Sequence, residues 1–355
     1  MDATFDSPNL DLLRSGAVLF VVFSHLLLLL EKSHNITGHR FEGLLSIGRW
    51  GVLIFFVHTS LVLMLSLERQ HNRFPGQPAW LPFLIRRIFR IYPLSMCIVA
   101  VVVLLRIPVA DIVAGRLVSE PWHWSGFLSN LFLVQNLTNT PDVLIPLWSL
   151  PYEMQMYLFL PALYLFVRNA RSIAPLAALW MASYIAAIPA THLDQRGMPN
   201  LVEFVPLFLS GVIAYALIKS ARFRLPSWIW PIAIATITYF YLLQPNSCRG
   251  CACSLMLGVA LPHFQEVSSH VVRTTCRVIA RYSYGIYLTH ILGIWLAFQV
   301  CAHLPLAIRV VVFLTSVSSF SVIVYHAIEA PMIQYGTTLV ASLRASRLVI
   351  AESEA

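Results

Sequence analysis

The sequence predicts an all-α, polytopic membrane protein of about ten transmembrane helices with both termini in the cytoplasm, and three observations lead there. First, 58% of the 355 residues are apolar, only 11% are charged, and the mean hydropathy is +0.73. Soluble proteins carry about 25% charged residues, so most of this surface must face lipid, and the lipid bilayer is the first partner expected. Second, apolar stretches near the roughly 20-residue length of a spanning helix recur along the chain, leaving little room for a separate soluble domain. Third, the basic residues fall unevenly between those stretches. With the N-terminus inside, 15 of the 24 Lys and Arg residues lie on the cytoplasmic side, eight lie on the outer side, and Arg14 lies within the first span. Such a positive-inside bias accounts for the net charge of +8 without a nucleic-acid partner.

The first stretch, 10–30, follows acidic Asp2 and Asp6 instead of a basic segment and lacks a small-residue cleavage site, so it is expected to remain as a helix. Spans then follow at 47–66 and 88–105. The segment 122–134 is too short to cross and reads as an interfacial or re-entrant helix. Further spans are expected at 148–167, 173–190, 200–218, 226–243, 250–265, 279–300 and 306–326. Residues 1–335 form one transmembrane domain in this reading and 336–355 a short cytoplasmic tail. Cys248, Cys251 and Cys253 approach a metal spacing but lack a second pair, so ordinary packing is the better account and no metal is expected. Two sequons, Asn35–Thr37 and Asn136–Thr138, fall on the expected outside.

Ionisable groups inside spans are costly and are therefore candidate functional sites. Asp11, Arg14 and His25 share one stripe of the first helix. The eleven steps from Arg14 to His25 end about 20° past three full turns, with His25 about 16 Å deeper. An edge ion pair and a core histidine would explain this stripe equally well. Glu153 opens the fourth span within PLWSLPYEMQMYLFLP, either facing a cation or lying in the headgroup zone. Ser283, Tyr287 and His290 recur at i, i+4 and i+7 in the ninth span. Tyr325, His326 and Glu329 close the tenth, where a helix end at the inner surface is the modest reading. In FLIRRIFRIYP, Arg86, Arg87 and Arg90 are spaced to converge on one anion, although topology alone would also favour such a cluster.

Taken in order, these segments resemble the acyltransferase-3 family of integral-membrane O-acyltransferases. The resemblance rests on Asp11, Arg14 and His25 in the first span, on IGRWGVLIFFVHTS, where His58 and Thr59 replace the usual Ser-Gly, and on FLIRRIFRIYP. It continues through PLWSLPYEMQMYLFLP, where Pro-Tyr-Glu replaces Ser-Val-Glu, then YSYGIYLTH and Glu329-Ala330-Pro331. It covers almost the whole chain, without the esterase-like domain that some members add.

The resemblance implies transfer of an acyl group, commonly acetyl, from a cytoplasmic acyl-CoA such as acetyl-CoA to a hydroxyl. The acceptor would be a carbohydrate or lipid-linked molecule, often at the outer face, and the host membrane a bacterial inner (plasma) membrane. On this reading Arg86, Arg87, Arg90 and Arg14 hold the donor's phosphates, with Tyr92 and Trp148 of the same motifs beside it. His25 acts as general base or transient acyl carrier, Glu153 or Asp11 orients its imidazole, and His290 or Tyr287 donates to the oxyanion. The alternative is a proton-coupled secondary transporter that uses the same intramembrane His, Glu and Arg groups; it predicts inverted repeats, which the sequence lacks.

Overall fold

The computed structural model describes residues 7–34, 43–121, 123–190, 200–218, 220–221 and 223–353. Arg40, Arg196, Lys219 and Arg222 of the charge count, the first sequon, Trp122 and the side chains of Lys32 and Arg347 lie outside the described residues. Among the described residues 80% are helical. Its helices are α1 (Pro8–His34), α2 (Ile47–Arg73), α3 (Trp80–Leu104), α4 (Trp124–Leu131), the single turn α5 (Gln135–Thr138), α6 (Leu150–Asn169) and α7 (Ala174–Ala190). They continue with α8 (Leu201–Ile218), α9 (Ile229–Leu242), α10 (Ser247–Ala260), α11 (His270–Trp295), α12 (Leu306–Val324) and α13 (Ala330–Ser353).

Each predicted apolar stretch overlaps one of these helices, with its ends shifted by several residues. Among the described residues five helical stretches are long and apolar enough to cross a membrane: 8–29, 43–73, 80–104, 201–218 and 306–345. Helices α7 and α9 are apolar but shorter. Leu179 and Ile185 on α7, Ile232 on α9, and Val311 and Leu314 on α12 are exposed, which suits a lipid-facing rim.

Two features depart from the sequence reading. The connection after α3 begins with a two-stranded hairpin, β1 (Asp111–Val113) and β2 (Arg116–Val118). Ala114 and Gly115 both have positive φ at its turn, as a tight hairpin requires, and the amide of Gln299 grips Leu117 on its outer edge. The chain also does not end its helix at Glu329. Residues Tyr325–Glu329 form a π turn that carries α12 into α13, and Glu329 is buried there instead of lying at a surface end.

Helix α2 is the axis of the bundle, with Leu61, Val57 and Met64 fully buried. It runs antiparallel to α1, and a side chain at Gly51 would meet the Ala17 carbonyl at 2.5 Å. On its other side, Gly211 of α8 sits so close that a Cβ there would collide with Ser60 and the Val57 carbonyl. Helix α11 runs parallel to α1, because the hydrogen bonds between them climb together. Asn9 pairs with Gln265 and Val267, Ser15 Oγ donates to the Cys276 carbonyl (2.8 Å), Arg14 Nε donates to Ser283 Oγ (2.6 Å), and His25 meets His290 (2.9 Å). The Glu266 carboxylate caps the start of α1 by accepting from Ser7 Oγ and the Asn9 N–H, placing negative charge at a helix N-terminus.

The two glycine environments predict opposite outcomes. Gly211→Ala must push backbone against backbone and should cost about 1–3 kcal/mol, read as a lower melting temperature of the detergent-purified protein. Gly16→Ala, with nothing within 4 Å of the added methyl, should melt at or above the parent temperature.

Candidate active site

Because α1 and α2 are antiparallel and α11 is parallel to α1, the polar stripes of all three meet along one interior line. Two cavities open from it, an inner one at the Arg14 end of α1 and an outer one at the His25 end, and Val52 and Tyr287 line both. The inner one, about 100 Å³, is lined by Arg14, Arg87, Arg90, Glu153, Tyr157 and His58 among others. The outer one, about 440 Å³, is lined by His25, Arg49, Gln135, Asp142, Trp148 and Tyr152 among others.

The inner cavity gathers residues more than 140 positions apart. Arg87 and Arg90, one turn apart on α3, face Arg14 of α1, and Arg87 Nε is buried without a hydrogen-bond partner. Glu153 reaches this depth because a 3₁₀ segment, Ile145–Ser149, delivers the start of α6 into the bundle. There it accepts a short hydrogen bond from Tyr157 Oη one turn on, so it faces cations and not headgroups. Arg86 is not part of the cavity lining. Its guanidinium donates to Gln70 Oε1 at the end of α2, and the same amide donates to the Ala79 carbonyl at the start of α3 (3.0 Å). The three arginines that converge are therefore Arg14, Arg87 and Arg90, and not the expected Arg86, Arg87 and Arg90. Tyr92 also misses the cavity: two residues beyond Arg90 it points about 200° around α3, and its Oη donates to the Phe132 carbonyl (3.0 Å).

In the outer cavity the geometry decides a tautomer. His290 Nδ1 lies 3.0 Å from the Ile286 carbonyl, which can only accept, so Nδ1 carries the proton and a neutral His290 offers a lone pair at Nε2. His25 Nδ1, 2.9 Å from that nitrogen, must then be the donor, and His25 Nε2 is left unprotonated. The expected orienting groups do not reach this imidazole. Glu153 is in the other cavity, and Asp11 lies about 21 Å away along α1 at 1.5 Å per residue. The side chain that meets it is His290, fully buried on α11. Neither His290 nor Tyr287 has a proton free for an oxyanion: both nitrogens of His290 are engaged, and Tyr287 Oη donates to the Pro146 carbonyl (2.7 Å) while Ser149 Oγ donates to it (2.7 Å). Trp148 lines the outer cavity, packed on Tyr152 and Phe204, and so sits with His25 instead of the arginines.

Four lining residues were not legible as site residues. His58, noted only as a departure from a pattern, is 5% exposed and borders the arginine cavity. Gln135 and Asp142 lie in the connection before α6, where no periodicity marks them, and Gln135 Nε2 donates to Asp142 Oδ1 (2.9 Å). Arg49 at the outer rim is ion-paired to Glu203 of α8 (2.5 Å), which also accepts from Ser247 of α10 (2.6 Å). No group of His, Cys, Asp and Glu that could hold a metal ion occurs among the described residues.

A family model described as an acyltransferase domain matches residues 7–328, nearly the whole chain. No curated protein and no solved structure matches it.

Asp142 sits in the connection outside the spans, and burial pushes its carboxyl up from 3.8 to about 7 against the opposing hydrogen bond from Gln135. Between those values the folded chain holds a proton that the unfolded chain has lost, so this group's contribution to stability falls as pH rises from about 4 to 7. The other ionisable groups of this cavity are His25 on α1, Arg49 on α2, Tyr152 on α6 and Tyr287 on α11. The melting temperature should therefore drop from pH 5 to pH 8 more steeply in the parent protein than in Asp142→Asn, in which that contribution is absent.

Proposed function

Because the chain belongs to this acyltransferase family, and is an integral membrane protein, we propose that it moves an acyl group, acetyl in the simplest case, from cytoplasmic acyl-CoA to an acceptor hydroxyl at the outer face of the membrane. The observation that carries this reading is the hydrogen-bonded chain from His25 through His290 to the Ile286 carbonyl, which leaves a neutral base in a cavity. The inner cavity supplies the complement. Three guanidinium groups, one with an unpartnered N–H, suit the phosphates of coenzyme A, whose thin pantetheine arm would have to pass Val52 and Tyr287, the two residues that line both cavities.

In the reaction, His25 Nε2 takes the proton of the acceptor hydroxyl as its oxygen attacks the thioester carbonyl. The new C–O bond forms, the C–S bond breaks, and His25 returns the proton to the departing thiolate sulfur, so the products are an ester and free coenzyme A. His290 holds the imidazole in the tautomer that starts this cycle and shares its charge while it is protonated. Ten spans with both termini inside, a transmembrane domain to about residue 335 and a cytoplasmic tail beyond would put the arginines on the donor's side. A bacterial inner (plasma) membrane is the setting we infer.

His25→Ala should lower acyl transfer by about 10²- to 10⁴-fold in protein that still inserts and folds, and near-parental turnover would remove His25 from the mechanism. His290→Leu should lower kcat with little change in the donor KM, since it acts through His25. Arg87→Ala and Arg90→Ala should each weaken acetyl-CoA binding by about 1.5–3 kcal/mol in isothermal titration, Lys should restore only part, and Arg86→Ala should have the smallest effect. For the orientation, a cysteine placed at position 73 should react with an impermeant maleimide only after intact cells are permeabilised; labelling from outside would reverse it.

A further inference from the structure

The outer cavity holds a second feature that base chemistry at His25 leaves unexplained. Gln135 is 1% exposed, and its position is over-determined: the turn Gln135–Thr138 lies between Leu133 and Asn139, both in the left-handed region, and the Asn136 side-chain amide is paired with that of Gln155. Its Nε2 is committed to Asp142 Oδ1 (2.9 Å) and faces the Leu147 carbonyl at 3.4 Å. Its Oε1 is buried and receives no hydrogen bond. A buried amide oxygen without a donor costs about 1–3 kcal/mol, so this atom suits a ligand that brings an N–H or O–H.

The rest of the cavity narrows the ligand. Arg49 at the rim is neutralised by Glu203, so the cavity is poorly suited to select an anion. Burial pushes the Asp142 carboxyl up to about 7, which weakens its call for a cation. Trp148 offers an aromatic wall, and about 440 Å³ is room for a sugar-sized molecule. A neutral ligand with a hydroxyl at His25 and another hydroxyl at Gln135 meets every one of these demands.

We propose that Gln135, fixed by Asp142, is the acceptor's second recognition point, and that the acceptor is a neutral polyol that presents a further hydroxyl beside the one acylated. The inference rests on the transferase reading and adds a specificity determinant to it. Gln135 is a positioning residue here: it binds the hydroxyl that does not react, through Oε1 as acceptor, and so turns the reacting hydroxyl towards His25 Nε2.

The test uses full-length protein in nanodiscs with acetyl-CoA and two three-carbon probes, propane-1,2-diol and propan-1-ol, following ester formation by mass spectrometry and background acetyl-CoA hydrolysis by thiol release. The diol should be acylated with a kcat/KM at least tenfold above that of the mono-alcohol. Gln135→Leu should erase that ratio by raising the diol KM, and Gln135→Glu, which keeps an acceptor oxygen, should restore part of it. The parent protein carries the test even where a variant folds poorly, because the diol preference is read without mutation. Hydrolysis at a normal rate with equal use of the two probes, or with use of neither, overturns the second recognition point and leaves the donor chemistry standing. Absence of any acetyl-CoA turnover overturns the transferase reading and this inference with it.

Discussion

The polar groups of α1 have no water to turn to inside an apolar bundle, and α11 with the segment just before it supplies their partners. Arg14 takes Ser283, Ser15 takes the Cys276 carbonyl, His25 takes His290, and at the start of the helix Ser7 and Asn9 take Glu266. A slip of one residue along this seam, about 1.5 Å with a 100° rotation, would break several of these bonds together in a medium where each orphaned group is costly. The seam therefore has one register. Packing of α2 against α1 follows from it, since Gly48 and Gly51 accept the Ser24 and Ala17 surfaces only when α1 is turned this way.

With α1, α2 and α11 set, the connection before α6 determines how the interior is divided. Tyr287 grips the Ile145–Ser149 segment at Pro146 and Ser149, and that grip draws the start of α6 into the bundle. Two consequences come from this single tether. Glu153 is delivered to Arg14, Arg87 and Arg90, where a carboxylate reduces the cost of burying three like charges. Trp148 is delivered to the other side, over His25. Behind the inner cavity, buried Glu329 on its π turn lies within electrostatic reach of Arg90 and Arg14. Three guanidinium groups against two carboxylates leave an excess of positive charge, which matches an anionic donor.

The chemistry proposed for His25 depends on a proton inventory more than on any one contact. Carbonyl oxygens only accept, so the Ile286 carbonyl dictates His290, His290 dictates His25, and the Pro146 carbonyl likewise dictates Tyr287 and Ser149. One nitrogen, His25 Nε2, is left with an open lone pair at the end of the first chain. The same accounting withdraws His290 and Tyr287 as donors to an oxyanion.

The sequence by itself determined the class of the molecule and the pieces of its site. Apolar length and charge bias are properties of composition, and the helices appear where they predict, down to α1 carrying Arg14 and His25 on one stripe. Spacing within a helix was also readable, as with Arg87 and Arg90 or Tyr287 and His290, because 100° per residue is fixed by the backbone. Partnership between helices was not. That His25 meets His290 and not Glu153 depends on the α1–α11 seam, that Arg86 turns to Gln70 depends on how α3 meets α2, and which side Trp148 faces depends on the depth at which α6 begins. That depth is set by hydrogen bonds between residues more than a hundred positions apart, and no local pattern encodes them. Gln135 and Asp142 show the same limit most plainly: in the sequence they are loop residues, and only the tether at Tyr287 makes them the wall of a cavity.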